Sequence, residues 1–349
     1  MKNLIKESVI NLKPYRVIEE EYTIKIDANE SPYNILDNIG KSILEKLGAQ
    51  RANRYPDNES SDLKKALVQY TGMDEENILC GNGSDELLKM IIDAFVDKGD
   101  NVVTHSPSFA MYKVITQIAG GNLIEVAGDE SFSIEIDNII SKANENKAKV
   151  IFLCNPNNPT GREIPKEDIM KVLDNTSSIV VVDEAYYEFN GETLIDKIDE
   201  YERLIVLRTL SKAFGLAGLR IGYGVASKDT IEILSKVKAP YNLNSISQII
   251  GKTALDNRHI VDKYIEAIKA ERKRIFRELS NIEGIETIPS KSNFILIKAE
   301  KYSDLIPRFK EEKILVKGFG KEGVLENCIR LTIGTEDENT KVLKTLKEV

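Results

Sequence analysis

With 349 residues, 42% of them hydrophobic and 30% charged, the chain has the balance of a soluble globular protein and the length for one large domain and one smaller one. Its 48 basic and 56 acidic residues leave a net charge of −8, which argues against nucleic acid or an anionic membrane as the main partner. Cys80, Cys154 and Cys328 are too few for a disulfide framework and read as buried thiols in a reducing cytoplasm; two histidines, His105 and His259, exclude a multi-histidine metal site, and no apolar run approaches the roughly 18 residues needed to span a bilayer.

Along the chain, short apolar, β-branched runs predict strands at 77–80, 101–104, 122–126, 149–154, 178–183, 203–207 and 221–225. Helical patterns lie between them at 84–97, 108–119, 136–145, 165–174 and 228–237. This alternation predicts βαβ units around a mostly parallel seven-stranded sheet, an α/β fold. The runs 150–154 and 179–182 are apolar throughout, as in central strands covered on both faces. From about 245 the pattern changes to long helices, chiefly 246–280, with shorter strands at 285–288, 293–298, 313–316 and 328–333. That change sets a large domain at 32–245 against a smaller α+β domain formed by 1–31 and 246–349. The basic cluster Arg272-Lys273-Arg274 with Arg277 reads as a solvated helix face.

Five segments at or just after predicted strands carry chemistry, and the ends of strands are where open α/β sheets collect ligands. Gly81-Asn82-Gly83-Ser84-Asp85-Glu86 opens a helix; the amides of Gly83, Ser84 and Asp85 would point at an anion, although such a run also makes a plain turn. The segment 155–161, with two prolines and three asparagines, predicts a rigid turn able to fix amides toward a ligand. Asp183 closes an apolar strand, where a carboxylate needs a partner: a pyridinium N–H, or the start of the next helix. Lys212 stands among Leu210, Ala213 and Phe214, and such surroundings disfavour the charged amine. A neutral amine condenses with aldehydes, while Thr209, Ser211 and Arg220 suit a phosphate. An aldehyde carried on a phosphate describes pyridoxal 5′-phosphate. Finally, Arg330 lies in an apolar strand and must meet an anion or a structural carboxylate.

In order and spacing, Asn158-Pro159-Thr160-Gly161, Asp183-Glu184-Ala185-Tyr186, Ser211-Lys212 and the arginine eight residues beyond resemble the fold-type I pyridoxal-phosphate-dependent aminotransferases, from about Leu12 to Thr335. The resemblance implies that Lys212 binds the cofactor's aldehyde and shuttles the substrate proton. It implies that Asp183 pairs with the pyridine nitrogen, and that Asn158 and Tyr186 hydrogen-bond the phenolic oxygen. Phe109 would stack on the ring, where many relatives carry tyrosine. Ser211, Arg220, Thr209 and the amides of Gly83–Asp85 would hold the phosphate.

Within that family Leu12-Lys13-Pro14-Tyr15, Asp27-Ala28-Asn29-Glu30-Ser31-Pro32, Arg54-Tyr55-Pro56-Asp57, the run 217–223 and Ala239-Pro240-Tyr241 are similar to the histidinol-phosphate aminotransferases. The resemblance implies a homodimer with shared sites, in which Tyr55 reaches the cofactor phosphate of the neighbouring subunit. Tyr15, Asn29, Arg330 and Lys317 would meet the substrate, a phosphorylated amine exchanged with a 2-oxo acid. Lys317 stands where that branch usually has arginine; lysine neutralises a phosphate without the bidentate fork, which leaves aromatic amino acids and threonine phosphate as other substrates of such a site.

Overall fold

A computed structural model describes residues 4–10, 12, 14 and 21–349. The strands, numbered along the chain, are β1 (Ile24–Lys25), β2 (Ile78–Asn82), β3 (Asn101–Ser106), β4 (Asn122–Ala127), β5 (Val150–Cys154), β6 (Ile179–Asp183), β7 (Leu204–Thr209) and β8 (Ile221–Ala226). They continue with β9 (Ile285–Ile288), β10 (Phe294–Ala299), β11 (Ile314–Leu315), β12 (Lys317–Gly318) and β13 (Cys328–Thr332). Strands β2 to β8 form one sheet in the order β2-β8-β7-β6-β5-β3-β4. Only β8 opposes its neighbours; it is antiparallel to both β2 and β7.

The sequence dictates this arrangement through period-two burial. Val180 and Val182 face one apolar layer, while Val181, Phe152 and Ile205 face the other. Helices cover both faces because their apolar stripes have no other place to go. The same alternation puts Asp183 at the end of β6, on the face that also carries Tyr112. The predicted mostly parallel seven-stranded sheet is present, and each of its strands lies within a few residues of expectation.

Three expectations need correction. The helical stretch 246–280 is two helices, Ser245–Asp256 and Arg258–Leu279, broken at Asn257. The strand expected at 313–316 is only Ile314–Leu315, which runs parallel to Ile24–Lys25; just beyond it the chain changes sheet, and Lys317–Gly318 joins the four-stranded sheet β12-β13-β10-β9. Arg272 does not lie on a solvated face; its guanidinium donates to the carbonyls of Ser292 at 2.6 Å and Phe189 at 3.4 Å, so it ties the long helix to a loop and to the short helix Tyr187–Asn190. The three cysteines are buried and free, and among the described residues no helix is long and apolar enough to cross a membrane.

Candidate active site

The parallel strands of the large sheet end on one edge, so Cys154, Asp183 and Thr209 open toward a shared space, and Arg220 enters it just before the opposed β8. That space is a cavity of about 900 Å³. Its lining includes Asp183, Tyr186, Asn158, Lys212 and Phe109 from the predicted set. Ser84, Asp85, Thr209, Ser211 and Arg220 line the same cavity, as do Asn29, Lys317 and Arg330. Of the remaining predicted residues, Tyr55 is on the surface, and Tyr15 is outside the described residues.

At one end is an anion cup. Gly83, at φ 82°, turns the chain from β2 into the helix Ser84–Phe95, whose first amides have no side-chain cap. A Cβ on Gly83 would stand 2.7 Å from the Arg220 guanidinium, and a Cβ on Gly222 would stand 2.3 Å from the Ser84 amide nitrogen. Only glycine at both positions lets the turn lie flat on β8. Arg220 donates to Asp85 at 2.9 Å, and Thr209 donates to the Ser211 hydroxyl at 2.9 Å. Two amides, two hydroxyls and a guanidinium therefore converge where a phosphate would sit.

At another point of the cavity is a buried acid. Asp183 is 3% exposed, and its Oδ2 accepts from the Tyr112 hydroxyl at 2.8 Å. Its Oδ1 accepts from the Ala185 amide at 3.2 Å. Burial pushes its carboxyl up to about 6, against the pull of those two hydrogen bonds. Tyr112 is fully buried, stacked on Phe152 with centroids 4.6 Å apart. Sequence reasoning gave Tyr112 no role. No local signal marks it: Phe109 precedes the helix Met111–Ala119, and the two rings meet edge to face at 5.6 Å only once the chain is folded.

Lys212 reaches in from the loop after β7. Desolvation, reinforced by the nearby Arg330 charge, pushes its amine down to about 8. Its Nζ donates to the Ala28 carbonyl at 3.0 Å. Of the three asparagines in the proline-rich turn, two are used in building it. Asn155 exchanges hydrogen bonds with both backbone groups of Ile164, and Asn157 donates to the Pro107 carbonyl and the Thr160 hydroxyl. Asn158 is left to the cavity, where its Oδ1 accepts from Arg330 Nη1 at 2.6 Å. Because a guanidinium only donates, the Asn158 oxygen must face it, and its Nδ2 donor remains for a ligand.

Asn29 is 1% exposed, and its polar atoms are held within the protein, its amide on the Tyr186 hydroxyl at 2.9 Å. Arg330 also donates to the Asp27 carbonyl, and lies over Phe294 at 5.4 Å. Lys317 is exposed and pairs in register with Arg330 across the two strands, so both cations border the same space. Tyr55 is 81% exposed and stacks on Tyr241 at 4.5 Å.

The lysine, acid and amide of this cavity, with its phosphate-sized cup, are accompanied by a family match. Residues 22–346 match the model for aminotransferase class I and II, and the chain belongs to that family. Over 349 residues it is 44% identical to a histidinol-phosphate aminotransferase of Thermoanaerobacter sp. (strain X514), covering all of this chain and 99% of that protein. A histidinol-phosphate aminotransferase of Pyrococcus furiosus is 41% identical over 346 residues, with 99% and 98% covered. Among solved structures, histidinol-phosphate aminotransferase from Sinorhizobium meliloti, in complex with pyridoxal-5′-phosphate, superposes with a TM-score of 0.91 at 25% identity, covering 99% of this chain and 97% of that one. The enzyme of the same name from Clostridium acetobutylicum gives 0.84 at 27% identity, over 93% and 98%.

Proposed function

We propose that the chain is a pyridoxal-phosphate-dependent aminotransferase of histidine biosynthesis, exchanging the amino group of histidinol phosphate with 2-oxoglutarate to give imidazole-acetol phosphate and glutamate. The observation that carries this reading is 44% identity to a histidinol-phosphate aminotransferase along the whole chain, with the reactive lysine, buried aspartate and anion cup in one cavity.

Pyridoxal 5′-phosphate, when bound, supplies an aldehyde that condenses with amines and a ring that accepts the electron pair released at the substrate Cα. The residues here fit that group. The cup of Ser84, Asp85, Ser211 and Arg220 matches its phosphate. Asp183 matches its pyridine nitrogen: a buried carboxylate already held by Tyr112 gains a cation, which favours its ionised form. The free donor of Asn158 and the hydroxyl of Tyr186 match its phenolic oxygen, and Phe109 offers a face to the ring. With its amine near 8, Lys212 is a competent nucleophile and proton carrier close to neutral pH, and would take up and return the proton of the substrate Cα. Once released, the amine has the Ala28 carbonyl to rest on. Arg330 and Lys317 hold the substrate phosphate, and Tyr15 is expected to join them from the family resemblance alone.

Two subunits complete the enzyme on this reading, with Tyr55 facing the partner's cofactor phosphate. The exposed Tyr55–Tyr241 stack supports it, since two large rings left in water are the usual mark of an interface. Buried free thiols suit a reducing cytoplasm.

The test is a donor panel with 2-oxoglutarate as acceptor, comparing histidinol phosphate, threonine phosphate and phenylalanine. Glutamate should form fastest with histidinol phosphate. Release of carbon dioxide from threonine phosphate without glutamate, or a preference for phenylalanine, would replace the substrate assignment. Borohydride reduction of the cofactor-loaded protein should leave the label on Lys212 alone.

A further inference from the structure

Three consecutive residues near the start of the described chain touch three separate groups of the site. The Asp27 carbonyl accepts from Arg330, the Ala28 carbonyl accepts from Lys212, and the Asn29 amide donates to Tyr186. Asn29 is the most constrained of the three. Its backbone is left-handed, at φ 55°, a region that asparagine tolerates better than most residues. Its backbone N–H donates to Thr332 Oγ1 at 3.0 Å, and its carbonyl accepts from Asn293 at 3.0 Å. The Thr332 hydroxyl in turn donates to Asn29 Oδ1 at 3.3 Å, the acceptor for that proton among the described residues. These contacts fix which way the amide points, with Oδ1 on Thr332 and Nδ2 on Tyr186.

A phenol has one proton and an oxygen that accepts. With the Asn29 amide donating to that oxygen, the Tyr186 proton has no acceptor on Asn29 and must be given elsewhere, on the side of the cavity. We propose that Asn29 is a positioning residue, which sets Tyr186 as a hydrogen-bond donor toward the phenolic oxygen of the cofactor instead of binding substrate itself. This rests on the reading of the cavity as a pyridoxal phosphate site. The charged and titratable groups around the Tyr186 hydroxyl are Arg330, Asp183, Cys154 and Lys212, the last with its Nζ 5.8 Å from the ring centroid. None of these four lies on the N-terminal segment, but Arg330 and Lys212 rest on its Asp27 and Ala28 carbonyls, so the substitution at Asn29 must keep the backbone as it is.

The experiment is a pH titration of the visible band of the cofactor-loaded protein, in wild type, Asn29→Asp, Tyr186→Phe and the double variant. Aspartate has the shape of asparagine and accepts the left-handed backbone, but its carboxylate takes the phenol proton and reverses the hydrogen bond. The titration midpoint should rise by about one pH unit in Asn29→Asp, as expected for one lost hydrogen bond to a charged group, and Tyr186→Phe should match it. In the Tyr186→Phe background the Asn29 substitution should add nothing. An unmoved midpoint in Asn29→Asp, or an equal rise in both backgrounds, overturns the assignment. If Asn29→Asp does not retain cofactor, Asn29→Gly keeps the backbone and removes the amide. A raised midpoint that vanishes without the Tyr186 hydroxyl then supports the proposal, and an unchanged one overturns it. A wild-type protein that develops no visible band with the cofactor overturns the functional reading itself, which separates the two failures.

Discussion

A buried lysine with its amine held near 8 is unfavourable for the fold before any cofactor arrives. The sign follows from protons: between about 8 and the usual lysine range near 10.4, the unfolded chain binds more protons than the folded one, so stability rises with pH across that window. Below 8 both states are charged and the folded one bears the whole desolvation penalty, roughly 2 kcal/mol once partial solvent access is allowed for. Lys212→Met should therefore abolish turnover and yet make the cofactor-free protein more stable at pH 7, with the gain shrinking as pH approaches 10. Denaturant midpoints of both proteins across that range measure it; an equal gain at every pH would mean that shape, not charge, is responsible. Desolvation of Lys212 was legible from its apolar neighbours in sequence. The Tyr112 contact to Asp183 was not, since 71 residues separate the partners and nothing local to Tyr112 marks it as polar in use.

At the scale of elements, the cup depends on two backbones lying closer than a side chain permits. A methyl on Gly222 would meet the Ser84 nitrogen and the Gly83 carbonyl carbon, both main-chain atoms with no rotamer to escape into. Gly222→Ala should cost about 1–3 kcal/mol and weaken cofactor affinity at least roughly tenfold, because the helix N-terminus must lift off the strand. Gly40→Ala is the control: open space surrounds that position inside the helix Leu36–Gly48, and alanine there should stabilise by about 0.5–1 kcal/mol with cofactor binding unchanged. Equal effects of the two substitutions on affinity would refute the role given to close backbone packing. Strands and helices of the large sheet were legible because each is a single run with one period. The bounds at 313–316 were not, since the chain pairs with one sheet at Ile314–Leu315 and with another from Lys317, and periodicity carries no record of a change of partner. Likewise the helix break at Asn257 lies inside a continuous helical pattern with neither glycine nor proline to announce it.

At the scale of the whole molecule, shared sites have a direct test. If Tyr55 serves the opposite subunit, Tyr55→Ala and Lys212→Ala proteins are each impaired alone, but a mixed dimer carries one site with both residues intact. Refolding the two together should restore activity, measured as glutamate formed per mixed dimer; no recovery would place Tyr55 outside the neighbouring site. The exposed Tyr55–Tyr241 stack was invisible to sequence reasoning, which supplied the motif but not its surroundings. The segment Asp27–Asn29 has a consequence in time. Its contacts to Arg330 and Thr332 join residues 303 positions apart, whereas the last strand of the seven-stranded sheet ends at Ala226. The strands of the sheet are therefore made about 100 residues before Arg330 and Thr332, a lag of roughly 5–20 s at ordinary elongation rates. Over that interval Lys212 and Asp183 stand beside an unfinished cavity. Cofactor capture should thereby wait until Arg330 and Thr332 have emerged, and a nascent chain arrested before Cys328 should hold the sheet without holding the cofactor.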